Sequence, residues 1–138
     1  MIFLDTSVLI AAAQTFHPHH QPSRDLVSAL RAGSVVISAH TIAEVYSALT
    51  RMPPRTPPAI AMQAVETYLL KMKPVTLTIE EYLSTVRETA QNGHAGGMIY
   101  DALLLACARK SNSKQIFTWN LKHFRALAPD LAHIIVTP

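Results

Sequence analysis

IFLDTSVLIAAA, residues 2–13, joins a short apolar run to a longer one through three polar residues. The first three residues have the length and composition of a short buried strand. The last six, VLIAAA, are all apolar and end in three alanines, the residue that most favours helix. The polar triplet Asp5-Thr6-Ser7 between them consists of residues that favour the start of a helix. The segment therefore predicts a strand, a turn and a helix.

The same alternation of short apolar runs and helical patterns continues along the chain. Strands separated by helices in this way are typical of a parallel sheet covered on both faces. We therefore predict an α/β fold, a three-layer α/β/α sandwich with a mostly parallel central sheet. The further predicted strands are 35–37, 74–77, 115–119 and 134–136, and the further predicted helices are 23–32, 38–52, 58–72, 78–91, 98–110 and 120–127.

Size and composition are consistent with one compact unit. The chain has 138 residues of which 49% are hydrophobic, so we expect a single domain over residues 1–138. No run approaches the roughly 20 apolar residues of a membrane span, and no basic leader precedes the first strand, so we expect a cytoplasmic protein with no membrane partner. The single cysteine, Cys107, excludes an internal disulfide and is expected in the core.

The formal net charge of +3 is compatible with a polyanionic partner but does not identify one. The positions of the acidic residues are more informative. Asp5, Glu44 and Asp101 fall at a strand end or on mostly apolar helices, and no lysine or arginine lies within three positions of Asp5 or Glu44. Because a carboxylate near apolar surroundings requires a counter-charge or a raised pKa, these three acids predict a cation site.

A hard divalent cation suits this set of ligands. Mg²⁺ and Mn²⁺ prefer oxygen ligands and retain several waters when few carboxylates bind them. Such an open site favours phosphodiester hydrolysis. Asp5 and Asp101 are the minimum ligand set, and Glu44 is either a ligand of a second ion or a base that acts through water. Each acid also has an ordinary interpretation: Asp5 as a helix cap, Asp101 as a helix-start residue and Glu44 as a solvated side chain.

The three candidate acids and Asn120 lie in four segments of the chain: IFLDTS at 2–7, TIAEV at 41–45, IYDALLLA at 99–106 and IFTWNLKHF at 116–124. Together these segments resemble the motifs of PIN domains, in family-like order and spacing over residues 2–124. The resemblance extends to the size of the chain, which is similar to that of stand-alone VapC-type toxins. It implies a PIN-like fold and an RNA endonuclease that requires Mg²⁺ or Mn²⁺, usually as a homodimer that a co-expressed antitoxin keeps inactive.

Asn120 is the one departure from the family pattern, which often has an aspartate at this position. Its amide oxygen can still bind a metal ion or a metal-bound water, so we include it among the catalytic and metal residues. The missing negative charge weakens the attraction of a second ion, and we prefer a site with one resting metal. Thr6 and Thr118 are candidates for orienting a carboxylate or a water beside the ligands.

The remaining features leave alternatives open. Lys122 and Arg125 are candidates for contacting the RNA backbone, with a solvated helix end as the other interpretation. The histidines at 17, 19 and 20 are read as loop residues rather than a zinc site. The stripe at 60–65 is either core or a dimer or antitoxin surface. Aromatic residues, at 7%, are too few to suggest a base-stacking platform.

Three other functions can be compared with the nuclease on the same sequence features. A PIN-like module whose catalysis has weakened, and which binds RNA or protein, is the main alternative because of Asn120. A receiver-type signalling domain requires adjacent acids after the first strand, and the chain has only Asp5 there. A dinucleotide-binding fold requires a glycine-rich turn after that strand, which is absent.

Overall fold

The computed structural model describes residues 1–138, and its elements alternate as the sequence predicts. The boundaries follow in chain order. Strand β1 is Ile2–Leu4, helix α1 Thr6–Ala13, α2 His20–Ala29, β2 Val35–Ser38, α3 Ala39–Arg51, α4 Pro58–Leu69, β3 Met72–Val75, α5 Ile79–Gln91, α6 Met98–Lys110, β4 Gln115–Phe117, α7 Leu121–Leu127 and β5 Ile135–Val136, with a 3₁₀ turn at Pro129–Leu131 before β5.

The five strands form one sheet in the order β3-β2-β1-β4-β5, and every neighbouring pair is parallel. Successive residues of a strand point to opposite faces, so each strand contributes to two cores. Leu4 packs with α1, α3 and α4 on one face, whereas Phe3 packs with α6 and α7 on the other. The predicted α/β/α sandwich is confirmed, and its sheet is entirely parallel.

Strand β1 is the point at which the strand order reverses. Its neighbours are β2 on one side and β4 on the other, so the segments that leave these three strands diverge around its carboxyl end. Parallel sheets form a crevice at such a switch point. The residues that follow β1, end β2 and follow β4 are Asp5, Ser38 and Thr118, and all three are buried.

Several boundaries differ from the prediction, among them the ends of α2 at Ala29, of β3 at Val75 and of β4 at Phe117. Helix α2 begins at His20 rather than at residue 23, because the His20 ring is fixed by a 3.0 Å contact between its Nδ1 and the Ala11 carbonyl. Strand β3 begins at Met72 and carries Pro74 inside it, which an edge strand tolerates because one of its sides has no hydrogen-bonded neighbour. Helix α4 consequently ends at Leu69.

Two further expectations concern the core and the membrane. Cys107 is buried at 2% exposure on α6, as expected, and its Sγ lies 3.6 Å from Ser38 Oγ. No helix combines the length and the apolar character that crossing a bilayer requires.

Candidate active site

Asp5 leaves the carboxyl end of β1 and is almost fully buried, with 4% of its surface exposed. Its side chain does not cap α1. Instead the hydroxyl of Ser7 donates to Asp5 Oδ2, and the hydroxyl of Thr118 donates to the same oxygen at 2.7 Å. Because both hydrogen bonds go to Oδ2, Oδ1 stays free. No buried side-chain oxygen lacks a partner, so Oδ1 faces accessible space, as a ligand atom must.

The environment of Asp5 opposes its ionisation. Burial raises its pKa from an ordinary 3.8 to about 6, although the hydrogen bonds from Ser7 and Thr118 act in the opposite direction. The negative charges of Asp101 and Glu44 raise the pKa further, so the three carboxylates are near enough to repel one another. A cation at this position would relieve both the burial and the repulsion.

Glu44 reaches the site from α3. Ser38 begins this helix by accepting a hydrogen bond from the His40 backbone N–H at 3.2 Å, and Glu44 lies one further turn along. The Thr6 hydroxyl donates to Glu44 Oε2, and His40 Nε2 lies 3.5 Å from Oε1. Thr6, in the first turn of α1, therefore holds the Glu44 carboxylate next to the residue that follows β1.

Asp101 enters the site from the first turn of α6. Its Oδ2 accepts a hydrogen bond from Asn120 Nδ2 at 2.8 Å and lies 3.2 Å from His123 Nδ1. Burial raises the pKa of Asp101, while His123 and Asn120 act in the opposite direction. The carboxylate therefore lies against α7 on one side and senses the charge of Glu44 on the other.

Asn120 connects the end of β4 with Asp101. Its side-chain nitrogen lies 2.8 Å from Asp101 Oδ2 and 2.9 Å from His123 Nδ1, and its backbone N–H donates to Thr118 Oγ1 at 2.9 Å. The Thr118 hydroxyl thus accepts from Asn120 while it donates to Asp5. An aspartate in place of Asn120 would face the Asp101 carboxylate directly, so the amide replaces a charge repulsion with a hydrogen bond.

The donor set is suited to a hard cation. Carboxylate, hydroxyl and amide oxygens surround the site, and no lysine or arginine pairs with its carboxylates, whose only basic neighbours are His40 and His123. As the side chains stand, no three histidine, cysteine, aspartate or glutamate residues enclose a common point that would hold an ion. The chemistry of the donors and the unbalanced negative charge therefore fit Mg²⁺ or Mn²⁺, whereas the present rotamers pair the acids with neighbouring donors.

Sequence analysis assigned no site role to Ser7, His40 or His123. A signal for the two histidines was present in the spacing. His40 lies four residues before Glu44, on the same face of α3, and His123 lies three residues after Asn120, which is the N-cap of α7. Ser7 was interpreted only as a helix-start residue, although it contacts both Asp5 and the backbone N–H of Trp119, at 3.1 Å from the latter.

The supporting candidates differ in where the structure places them. Thr6 and Thr118 each hydrogen-bond one of the acids, as expected for positioning groups. Lys122 is exposed on the first turn of α7 and forms no ion pair. The guanidinium of Arg125 donates to the Ile135 carbonyl at 2.9 Å, which ties α7 to β5 and engages one of its nitrogens.

The histidine-rich segment and the 60–65 stripe have structural partners. The His19 ring stacks on Trp119, with ring centroids 3.8 Å apart and an interplanar angle of 8°. Ala61 and Val65 are buried in the core, which confirms core packing for one side of the stripe, while Ile60 and Met62 are about half exposed.

Comparison with known proteins identifies relatives for almost the whole chain. A model of the PIN domain matches residues 2–128. Ribonuclease VapC40 of Mycobacterium tuberculosis is 38% identical over 117 residues, which cover 83% of this chain and 83% of that protein. Among solved structures, VapC20 of M. tuberculosis, a sarcin-ricin loop cleaving toxin, has a TM-score of 0.69 at 20% identity and covers 84% of this chain and 87% of its own. VapBC2 of Rickettsia felis, bound to a DNA fragment from their promoter, has a TM-score of 0.67 at 19% identity, with coverage of 99% and 98%.

Proposed function

The chain belongs to the PIN-domain family, and on that premise we propose that it is a metal-dependent endoribonuclease that hydrolyses RNA phosphodiester bonds. The observation that carries the proposal is the group of three mutually repelling carboxylates, Asp5, Glu44 and Asp101, at the carboxyl end of the central strand. The similarity to a protein named a ribonuclease supports RNA as the substrate.

We assign the metal to Asp5 and Asp101 as ligands, with Glu44 and Asn120 as further participants. Mg²⁺ or Mn²⁺ bound there would supply Lewis-acid polarisation of a phosphoryl oxygen and a water of lowered pKa. The residues of the chain provide the orientation. Ser7 and Thr118 hold Asp5 Oδ2 so that Oδ1 is presented, and Thr6 holds Glu44 towards the same crevice.

The biological role follows from the family. We propose that the protein is the toxin of a toxin-antitoxin pair, acts in the cytoplasm as a single domain and as a homodimer, and is held inactive by a cognate antitoxin. The half-exposed Ile60 and Met62 on α4 offer apolar area for one of these contacts. Gel filtration tests the dimer, and a monomer at micromolar concentration would contradict it.

Mapping of RNA ends tests the nuclease itself against the alternative of a weakened binding module. The purified protein is incubated with total RNA and Mn²⁺, and new 5′ ends are sequenced. Discrete ends are expected with the wild type and not with Asp5→Ala. If the two end profiles coincide while both proteins retain RNA binding, the protein is a binding module.

Asn120→Asp tests the number of metal ions. The new carboxylate replaces the amide that donates to Asp101. The site therefore gains one negative charge, and Asp101 loses one hydrogen bond. We expect the metal-free variant to be less stable by about 1–3 kcal/mol, because a hydrogen bond is replaced by repulsion between two partly buried carboxylates. In calorimetric titration with Mn²⁺, the variant should bind more tightly or take up a second ion. Unchanged affinity and stoichiometry would contradict the one-metal hypothesis.

Thr118→Val tests the positioning of Asp5. Valine keeps the shape of this fully buried side chain but removes both the hydrogen bond to Asp5 Oδ2 and the acceptor for the Asn120 backbone N–H. Partners that orient metal ligands typically contribute about 10–100-fold to affinity or activity, and we expect a loss in that range. Thr89→Val is the matched control, because Thr89 is also buried but bonds only within α5. Equal activity losses in the two variants would indicate a general folding defect.

A further inference from the structure

Two stacked pairs of rings involve residues next to the acidic site, since Trp119 precedes Asn120 and Tyr100 precedes Asp101. The rings of each pair lie in nearly parallel planes. His19 and Trp119 have centroids 3.8 Å apart at 8°, and His40 and Tyr100 have centroids 5.7 Å apart at 2°. Composition did not suggest a stacking platform, but composition reports the number of rings and not their positions. Parallel aromatic planes are the arrangement in which proteins hold unpaired nucleobases.

The two pairs are attached to the two strands that flank β1, the strand that Asp5 follows. Trp119 follows β4, between Thr118 and Asn120, and β4 adjoins β1 on one side. The other pair lies on the β2 side, because His40 is in the first turn of α3, directly after β2. A strand of RNA whose phosphate lies at Asp5 would therefore meet one ring pair in each direction.

Trp119 is held rigidly relative to the acidic site. Its indole Nε1 donates to Ser23 Oγ at 2.8 Å, and Ser23 is fully buried. Its backbone N–H donates to the Ser7 hydroxyl, which itself donates to Asp5. The backbone of Trp119 and the proposed ligand Asp5 are thus joined through the Ser7 side chain. A rigid aromatic plane loses little conformational entropy when a base stacks on it.

The partner of Trp119 is exchangeable. His19 is exposed, lies in the segment between α1 and α2, and its ring forms no hydrogen bond. The ring covers the indole in the geometry that a base would adopt. On the other side of the site, Tyr100 is 50% exposed, while its neighbour His40 lies within 3.5 Å of Glu44. Tyr100 therefore offers an accessible ring beside a partner that is fixed.

We propose that Trp119 and Tyr100 stack the two nucleobases that flank the phosphate at Asp5, and that the base on Trp119 takes the place of the His19 ring. The inference rests on the proposed ribonuclease function and deepens it, because it names the side chains that would hold the bases on either side of the cleaved phosphate. Bases in a duplex are stacked on each other and cannot reach two separate protein rings. Stacking recognises any base, so the platform selects strandedness rather than sequence.

Tryptophan fluorescence tests the Trp119 half directly, because the chain has one tryptophan. The metal-free protein is titrated with a single-stranded 2′-O-methyl RNA oligonucleotide, which it cannot cleave. We expect the emission to be quenched by this oligonucleotide and not by an abasic one with the same number of phosphates. The His19→Ala variant should bind the oligonucleotide at least as tightly as wild type. The control is His133→Ala, because His133 is exposed and precedes the amino end of β5, whereas the site lies at the carboxyl ends of the strands.

Kinetics test the Tyr100 half. Stacking contributes about 1–3 kcal/mol per base, so Tyr100→Leu should raise KM for single-stranded RNA by about 5–150-fold with little change in kcat. Tyr82→Leu, a similarly exposed tyrosine on α5, should leave KM unchanged. With an oligonucleotide that is abasic on one side of the cleaved phosphate, the Tyr100→Leu effect should disappear. The abasic substrate also makes the test independent of any mild folding defect in the variant.

The outcomes separate the two proposals. Equal quenching by intact and abasic oligonucleotides, weaker binding by His19→Ala, or a Tyr100→Leu effect that persists on every abasic substrate would each overturn the stacking inference. Absence of Mn²⁺-dependent cleavage by the wild type would overturn the ribonuclease proposal, and base-dependent quenching of the metal-free protein would still support the stacking site on Trp119.

Discussion

Replacement of Asp5 by asparagine should abolish RNA cleavage and, in the same protein, increase the stability of the metal-free fold. Asp5→Asn removes the charge that binds the cation. The resulting loss of several kcal/mol of transition-state stabilisation lowers the cleavage rate by about 10³-fold or more. The stability gain has a separate cause. Burial and neighbouring charges raise the pKa of Asp5 from 3.8 to about 6, so its ionisation at pH 7 opposes folding by about 3 kcal/mol at most.

The asparagine variant preserves most other features of the site. Its amide oxygen can still accept from the Ser7 and Thr118 hydroxyls, so the hydrogen bonds that position residue 5 remain possible. Cleavage is measured with Mn²⁺, and unfolding by denaturant is measured with a chelator at pH 7.5. Asp25→Asn, an exposed residue of α2, is the control and should change neither quantity. A variant that still cleaves RNA, or one that is less stable than wild type, would contradict this account of Asp5.

The fold was predictable because its determinants are local and repeated. A parallel sheet buried on both faces requires short apolar strands and apolar helix faces, and both patterns can be read within a few residues of sequence. Asp5 and Asp101 were recognisable for a related reason. Each interrupts an apolar context, and burial of a charge in such a context is costly enough to require an explanation.

The features that sequence analysis missed depend on contacts between distant parts of the chain. Trp119 is a site residue because Ser7 and Ser23, about a hundred positions away, fix its backbone and its indole ring. His19 was assigned to a loop, and only the tertiary fold brings it onto that ring. The early start of α2 at His20 has the same origin, since a contact with α1 rather than local propensity determines it.

The same principle applies to the tertiary contact of Arg125, which stays a candidate for contacting RNA. Its position on the helix that follows the Asn120 motif suggested contact with RNA, and sequence alone contains no sign of the Ile135 carbonyl that accepts its hydrogen bond. Lys122 keeps its place as a candidate because it is exposed on the first turn of the same helix.

Metal binding should change the pH dependence of stability, and the sign follows from the raised pKa of Asp5. A carboxyl whose pKa is about 6 in the folded state and 3.8 in the unfolded state favours folding when protonated. In the metal-free protein this contribution is fully present below pH 3.8 and is lost as the pH rises through 6. Mn²⁺ competes with the proton for the same carboxylate, so it should stabilise the protein above pH 6 and have little effect at pH 4.5.

The size of this effect can be stated for a given metal concentration. At one hundred times the dissociation constant, a ligand that binds only the folded state adds about 2.7 kcal/mol, which would offset most of the penalty from ionised Asp5 at pH 7.5. His40 and His123 lie beside the same carboxylates, so the comparison is made between wild type and Asp5→Asn, which share both histidines. The difference between their unfolding free energies should grow from pH 4 to pH 6.5 without metal and should shrink or reverse sign when Mn²⁺ is added at pH 7.5. A difference that is independent of pH would mean that Asp5 is ionised without penalty, and the cation would then not be the counter-charge that this site lacks.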